Sequence, residues 1–240
     1  MRIALVGYGK MGHAIERIAI ARGHEIVLRI TSGNKEEMNI ENMQLADAAI
    51  EFTNPAAAKE NVLKCLDAGI AVVCGTTGWN NEVEEAQKRA LQKNTSFLQT
   101  SNFSIGVNIF FEVNKLLASL MNRQPDYDVK IEETHHVHKK DAPSGTAITI
   151  AEQIIADLER KQTWGNSAAT YPGEIAITAY REEDVPGTHL VKYSSTIDDI
   201  EIVHTAHNRD GFALGAVLAA EYIAGRRGIF TMQDVLGINH

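Results

Sequence analysis

The feature that most limits the folds open to this chain lies at its start, where the continuous apolar run Ile3-Ala-Leu-Val6 meets Gly7-Tyr-Gly-Lys-Met-Gly12. A strand with no polar alternation is buried on both faces, as in a parallel sheet covered by helices. The glycines follow the spacing G-x-G-x-x-G at the strand-to-helix turn. There the first glycine permits the tight turn, the second lets a pyrophosphate approach the backbone, and the third lets helix and strand pack closely. The turn therefore predicts a dinucleotide site on Gly7, Gly9, Lys10, Met11 and Gly12.

The alternation of patterns continues along the first hundred residues. Residues 11–22 read as a helix, and 25–30 and 48–52 as strands. Asn54-Pro55 then supplies an N-cap and a first-turn proline for a helix that ends near Gly69. Residues 70–74 read as a strand, 81–93 as a charged surface helix and 96–99 as a further strand, which together indicate a doubly wound, Rossmann-like α/β domain. After a helix over 107–121 the pattern changes. Residues 128–135, 174–180, 190–194 and 200–206 read as strands with little helix between them, predicting an α+β domain on a mixed, mainly antiparallel sheet. Helical spacing returns at 212–223, placing this segment with the first domain. The expected organisation is 1–104 with 210–240 as the dinucleotide-binding domain, and 105–209 as the second domain. Loops at 32–42 and 161–172 read as mobile, and no repeat or low-complexity segment is present.

Composition narrows the function classes. A chain of 240 residues with 44% hydrophobic side chains has material for one or two cores, and its formal charge of -8 argues against non-specific attraction to nucleic acid or anionic membranes. No apolar run approaches the ~18 residues of a membrane span. Met1-Arg-Ile-Ala-Leu-Val-Gly7 also reaches glycine before a signal peptide's apolar region forms, so the expected location is the cytoplasm. Cys65 and Cys74 lack CxxC or zinc-finger spacing and read as reduced, buried thiols.

A dinucleotide site usually carries an acidic residue at the end of the second strand, where it binds the ribose hydroxyls. Here that strand ends Ile30-Thr31-Ser32-Gly33. The missing carboxylate removes a charge that would repel a 2′-phosphate, and Thr31, Ser32 and Lys35 could hydrogen-bond to one, so strict NAD specificity is not expected.

Three of the nine histidines gather in Thr134-His-His-Val-His-Lys-Lys-Asp-Ala-Pro-Ser-Gly-Thr-Ala147. Three readings compete. His136 and His138 lie two apart on one strand face and could chelate a metal with His135 or Asp141, but Lys139 and Lys140 would repel the cation. The run could instead be a solvated loop, although Pro143-Ser-Gly-Thr146 opens an amphipathic helical pattern over 147–158 and so aims the basic residues at a helix N-terminus. In the third reading, N–H groups near Ser144, Gly145 and Thr146, with both hydroxyls, form an anion site to which Lys139 and the histidines add charge and titratable protons. Beside a nicotinamide site, such a pocket suits reduction of an anionic small molecule.

The segment His135-His-Val-His-Lys-Lys-Asp-Ala-Pro-Ser-Gly-Thr-Ala147 resembles the signature of the 4-hydroxy-tetrahydrodipicolinate reductase (dihydrodipicolinate reductase) family. The resemblance extends to the glycine turn, Glu51-Phe-Thr-Asn-Pro55, Gly75-Thr-Thr-Gly-Trp79, Ser101-Asn-Phe-Ser-Ile-Gly-Val-Asn108 and Thr231-Met-Gln-Asp-Val-Leu236. It implies that His135 is the general acid and Lys139 a second proton-donating residue, while His136, Ser144, Gly145 and Thr146 hold the substrate's carboxylates. It also implies that Phe52, Thr53, Gly75, Thr76 and Thr77, with Thr100, Ser101, Asn102 and Phe103, line the cofactor site, Thr77 also facing substrate. The expected reaction is NADPH- or NADH-dependent reduction of a cyclic imine dicarboxylate in lysine and diaminopimelate biosynthesis. The expected assembly is a homotetramer formed through the second domain, with no metal, nucleic acid or membrane partner.

Many family members have one more residue in the glycine turn, and many have an acidic residue in place of Thr31. This chain is also shorter between its second and third strands, so its cofactor preference is read from its own residues, with a modest lean to NADPH. A related amino-acid or semialdehyde dehydrogenase would share the glycine turn but lack the His135–Ala147 segment, and a non-catalytic nucleotide sensor would have no need of His135 or Lys139. Arg209 reads as a surface salt-bridge residue or a hinge, Trp79 as domain-edge packing or a cofactor stack, and His189, His204 and His207 as structural or exposed.

Overall fold

The computed structural model describes residues 1–166 and 168–238. In chain order the elements are β1 (Arg2–Val6), α1 (Lys10–Ala21), β2 (Glu25–Ile30), a 3₁₀ turn (Lys35–Glu37), α2 (Ile40–Met43), β3 (Ala48–Glu51), α3 (Pro55–Asp67), β4 (Ala71–Cys74), α4 (Asn80–Gln92) and β5 (Ser96–Gln99). There follow α5 (Ile105–Met121), β6 (Asp128–His135), α6 (Gly145–Asp157), β7 (Thr163–Gly165), β8 (Glu174–Arg181), β9 (Gly187–Ser194) and β10 (Asp199–Ala206). The described chain closes with α7 (Asp210–Ile223), β11 (Gly228–Phe230) and α8 (Met232–Leu236). It forms two compact units, one comprising Met1–Ile105 and the chain from Arg209 onward, the other Gly106–Asn208.

The first unit is a six-stranded parallel sheet in the order β11-β5-β4-β3-β1-β2. Alternate residues of β1 explain the unbroken apolar run. Ile3 and Leu5 pack with Ile15 and Ala19 of α1 and Ala216 and Ala220 of α7, whereas Ala4 and Val6 share a core with Val62 and Leu66 of α3 and Ala86 of α4. Asn54 caps α3 by accepting from the Ala57 N–H, with Pro55 at the first helical position as the sequence predicts. Both cysteines are free and buried, and burial pushes both thiols well above their ordinary pKa.

The second unit is a five-stranded mixed sheet, β10-β9-β6-β8-β7. The β10-β9 and β9-β6 pairings are antiparallel and long, while β6-β8 and β8-β7 are parallel. Val129 and Ile131 of β6, Ile175 and Ile177 of β8, and Val191 and Tyr193 of β9 form its core with Ile150 and Ile154 of α6 and Phe110 and Ala118 of α5.

Some elements differ from their sequence-based bounds. β9 begins at Gly187 rather than 190, because Gly187, Thr188 and His189 lack the apolar signature of a strand yet complete the ladder with Thr205 and Ala206. β7 and β11, three residues each, are too short to show a period. The 32–42 segment is held by the 3₁₀ turn and α2, with Met38 and Met43 buried, which the polar residues between them conceal. In the 161–172 segment, of which Ser167 lies outside the described residues, Lys161 is only 3% exposed. Its ammonium donates to the carbonyls of Pro172 (2.8 Å) and Glu174 (2.9 Å) and pairs with Asp128 at 2.6 Å. No helix among the described residues is long and apolar enough to cross a membrane.

Lys161→Met keeps the aliphatic stem but leaves two carbonyls without a donor, so the expected cost is about 2–3 kcal/mol. A urea midpoint within error of wild type would show that Lys161 does not anchor this segment.

Candidate functional site

In the first unit a pocket of about 390 Å³ opens at the carboxyl ends of β1, β3 and β4. Open parallel sheets bind ligands at this position. Its walls are Gly9, Lys10 and Met11, then Phe52, Thr53 and Pro55, then Gly75, Thr76 and Thr77. Gly7 makes the turn possible: its φ is +96°, and a Cβ there would lie 2.0 Å from the Phe52 carbonyl oxygen. Gly12 packs against the Gly7 carbonyl, behind the pocket. No side chain caps α1 at Gly9, so the helix presents its first N–H groups beside Lys10, a setting for an anion. The cradle left by Gly7 and the uncapped helix fit a dinucleotide pyrophosphate.

The loops after β3 and β4 are bolted together from below. The Thr53 N–H donates to the Thr76 hydroxyl (2.8 Å), and Trp79 Nε1 donates to the Thr76 carbonyl (2.8 Å). Trp79 is 3% exposed against Phe97, so it braces the loop from the core. Glu51, fully buried, accepts from the Thr53 hydroxyl and from Cys74 Sγ (3.1 Å).

At the end of β2 the Thr31 hydroxyl donates to Asn34 Oδ1 (2.9 Å) and accepts from the Gly33 N–H (3.1 Å). Ser32 and Lys35 are exposed. Asn34, absent from the sequence reading, gathers this strand end with a neutral amide. Glu16 binds both the Tyr8 hydroxyl and Arg29, whose guanidinium lies 5.9 Å from the Tyr8 ring centre. Thr100, Ser101 and Asn102 follow β5 outside the pocket wall, and Phe103 is a core residue 5.6 Å from Phe52, so its side chain supports the wall instead of forming it.

The second unit collects the histidine cluster. Period-two alternation puts Val129, Ile131, Glu133 and His135 on one face of β6, and the last two reach the carboxyl end of the strand. Glu133 lies opposite His189 in the β6-β9 ladder, and His135 lies opposite Arg181 in the β6-β8 ladder. Glu133 Oε2 is 3.6 Å from His135 Nδ1 and 3.7 Å from His189 Nε2, while Oε1 is 3.6 Å from Arg181. The Ser144 N–H donates to both oxygens of Glu133 (3.0 and 3.1 Å), and the Ser144 hydroxyl accepts from the Ala147 N–H and lies 3.2 Å from His189 Nε2. Ser144 caps α6, and its N–H, expected from the sequence to be open to an anion, is committed to Glu133. Gly145 and Thr146 form the first turn of that helix.

Lys139 donates to both oxygens of Asp141 (2.9 and 2.8 Å), and Arg181 to the Asp141 carbonyl (2.6 Å). His136 is half-buried with an unpartnered Nδ1, 6.3 Å from the His138 ring. Among the described residues, the group close enough to gather around a cation is Glu133, His135 and His189, not the His136–His138 pair. The one Ser144 N–H is shared by both oxygens of Glu133, and the Arg181 guanidinium beside them adds a positive charge that would repel a cation. His189, expected to be merely structural or exposed, is a buried member of this cluster, while His207 is exposed and His204 packs edge-on to Phe110. Extending the Val191, Tyr193 alternation back to Gly187 was the signal that could have found it. Arg209 occupies the N-cap position of α7 at the unit boundary without a side-chain cap bond, and among the described residues it makes no ion pair.

Burial lowers the His135 pKa to about 4, with Glu133 opposing and His189, Lys139 and Arg181 reinforcing that shift. Burial alone would raise Glu133, but the polar groups of His189 and Ser144 outweigh it and bring the carboxyl to about 2.

Models of two protein families, described as the N-terminus and the C-terminus of dihydrodipicolinate reductase, match residues 1–103 and 106–236. This chain belongs to the dihydrodipicolinate reductase family. A 4-hydroxy-tetrahydrodipicolinate reductase from Christiangramia forsetii is 49% identical over 236 residues, covering 98% of each chain. One from Methanoculleus marisnigri is 40% identical over 82% of this chain and 78% of its own length. The fold is also that of the dipicolinate-bound dihydrodipicolinate reductase from Paenisporosarcina sp. TG-14, with a TM-score of 0.80, 22% identity and 98% of each chain covered.

The histidine cluster makes stability sensitive to acid. The unfolded chain protonates His135 from about pH 6.5, whereas the folded chain resists to about 4. Stability is thus intact above about 6.5 and falls from there to about 4, and Glu133 adds a second loss between about 4.5 and about 2. The wild-type melting temperature should fall through the first window more steeply than that of His135→Gln, and equal slopes would remove His135 from the transition.

Proposed function

We infer that this chain reduces 4-hydroxy-tetrahydrodipicolinate to tetrahydrodipicolinate in lysine and diaminopimelate biosynthesis, with NADPH or NADH as reductant. The observation that carries this reading is the buried His135, flanked by Lys139 and the first turn of α6, in a chain whose relatives bear the reductase name. The first unit holds the dinucleotide and the second the dicarboxylate. Gly7, Gly9, Lys10, Met11 and Gly12 would cradle the pyrophosphate, Thr31 and Ser32 the adenosine ribose, and Phe52, Thr53, Gly75, Thr76 and Thr77 the nicotinamide side, with Thr100 to Phe103 beside them.

The substrate loses water, and the conjugated imine that results takes up one hydride and one proton. When bound, the reduced nicotinamide supplies the hydride, and His135 supplies the proton. His135 is neutral near pH 7 in the ligand-free protein, and a dianion beside it would raise its affinity for a proton. Lys139, held by Asp141, stabilises the negative charge that develops. His136, Gly145 and Thr146 face the carboxylates, with Ser144 contributing through its cap. We read the assembly as a cytoplasmic homotetramer, supported by the exposure of Tyr180, Ile200 and Val203 on the second unit's sheet.

His135→Gln should lower kcat by roughly 10²- to 10⁴-fold with little change in substrate affinity, because a general acid acts mainly in the transition state. Lys139→Ala should impair both kcat and KM. Turnover by His135→Gln equal to wild type, in an assay following NAD(P)H absorbance with freshly generated substrate, would remove His135 from the mechanism.

Cofactor choice follows from the neutral end of β2. Lys35 is exposed and contributes about 1 kcal/mol or less to a 2′-phosphate. Both cofactors should therefore serve, with a modest lean to NADPH, and Thr31→Glu should shift preference towards NADH. A wild-type preference for NADH above about tenfold in kcat/KM, roughly 1.4 kcal/mol, would contradict this assignment.

A further inference from the structure

We propose that Glu133 is a positioning residue for the proton transfer, holding His135 with Nδ1 towards its carboxylate and Nε2 towards substrate, and that His189 locks Glu133 to the α6 cap. This rests on the reading of His135 as the acid. Three observations carry it.

First, Glu133 has no solvent exposure at its side chain, and His135 Nδ1 has no hydrogen-bond partner although it lies 3.6 Å from Glu133 Oε2. When His135 takes up a proton both ring nitrogens are donors, and the only carboxylate among the described groups facing Nδ1 is Glu133. The 3.6 Å gap then closes to a charge-assisted hydrogen bond of about 2.8 Å. Nδ1 is thereby occupied, and Nε2 becomes the nitrogen that gives up its proton.

Second, the Nε2 edge is left open by Gly187, where a Cβ would lie 3.1 Å from Nε2 and 3.2 Å from the adjoining ring carbon. Any other residue at this position would crowd the reacting edge.

Third, the same carboxylate accepts the Ser144 N–H, and Ser144 touches His189 through its hydroxyl. One buried anion thus fixes the acid on β6 relative to the helix whose first turn faces the substrate. The other charged and titratable groups around His135 are His189, Lys139 and Arg181, all of which disfavour a second positive charge. Glu133 is the group that opposes them, so it keeps the proton affinity of His135 high enough for an acid.

Glu133→Gln is the test, since the amide keeps the size of the side chain and an acceptor for Ser144 but removes the charge. At pH 8 with saturating dinucleotide, kcat should fall about 10- to 100-fold while the dinucleotide KM stays within about twofold. The alkaline limb of the kcat profile should move down by about one pH unit or more, so that activity recovers towards acid. A readout without turnover is the ¹⁵N titration of the His135 ring with dipicolinate bound, whose midpoint should move in the same direction. Glu133→Asp keeps the charge but withdraws it, and should give an intermediate shift.

A Glu133→Gln profile and ring titration superposing on wild type would overturn the proposal. If Glu133→Gln does not fold, a Glu133→Asp profile superposing on wild type overturns it equally. Full turnover by His135→Gln would instead sink the assignment of the acid itself, a separable result.

Discussion

A carboxylate buried as deeply as Glu133 is tolerated only where its neighbours supply donors, and much of the second unit follows from that requirement. The residue occupies a position on the inner face of β6 where the alternation of Val129 and Ile131 would otherwise place another apolar side chain. Its oxygens take the first N–H of the α6 cap, face His189 across the β9 ladder, and approach Arg181 at the end of β8. One buried anion therefore lies where three strands and the start of a helix meet. The acidic centre, in turn, gathers His135, His189 and Arg181 around it.

The first unit repeats the device with a different donor set. Glu51, at the carboxyl end of β3, accepts from Thr53 and Cys74, and Thr53 is itself tied to Thr76. The loops that wall the pocket at the carboxyl ends of β1, β3 and β4 are thus braced from beneath by polar bonds, while Phe52, Phe103 and Trp79 brace them with apolar contacts. Gly7 is needed because the Phe52 carbonyl approaches too closely for any side chain. Rigid support below and backbone N–H groups above are what preorganise a pocket for a phosphate-bearing ligand.

Most of the first unit was legible because its periods are strong. The apolar β1, the glycine turn and the Asn54-Pro55 start of α3 each carry a local physical cause, and each appears where that cause puts it. The short β7 and β11 were not legible, since three residues cannot display a period. Of the second site, His135 and Lys139 stood out by their density of charge. Glu133 did not, because in the pair Glu132-Glu133 either glutamate looks like surface until the parity of Glu133 with Ile131 is considered.

What the sequence determined by itself is local: which segments are strands or helices, where the glycine turn forms, and which segment gathers titratable residues ahead of a helix start. These depend on neighbours within a few positions, and resemblance to the family added their roles. Only the tertiary structure decided that His189 belongs with His135, that Ser144 spends its N–H on Glu133, and that Asn34 closes the end of β2. The first two join residues 54 and 11 positions apart, brought together by strand register and a helix cap. No periodicity in the chain encodes which strands will be neighbours; burial of both faces and the satisfaction of buried charge select that arrangement.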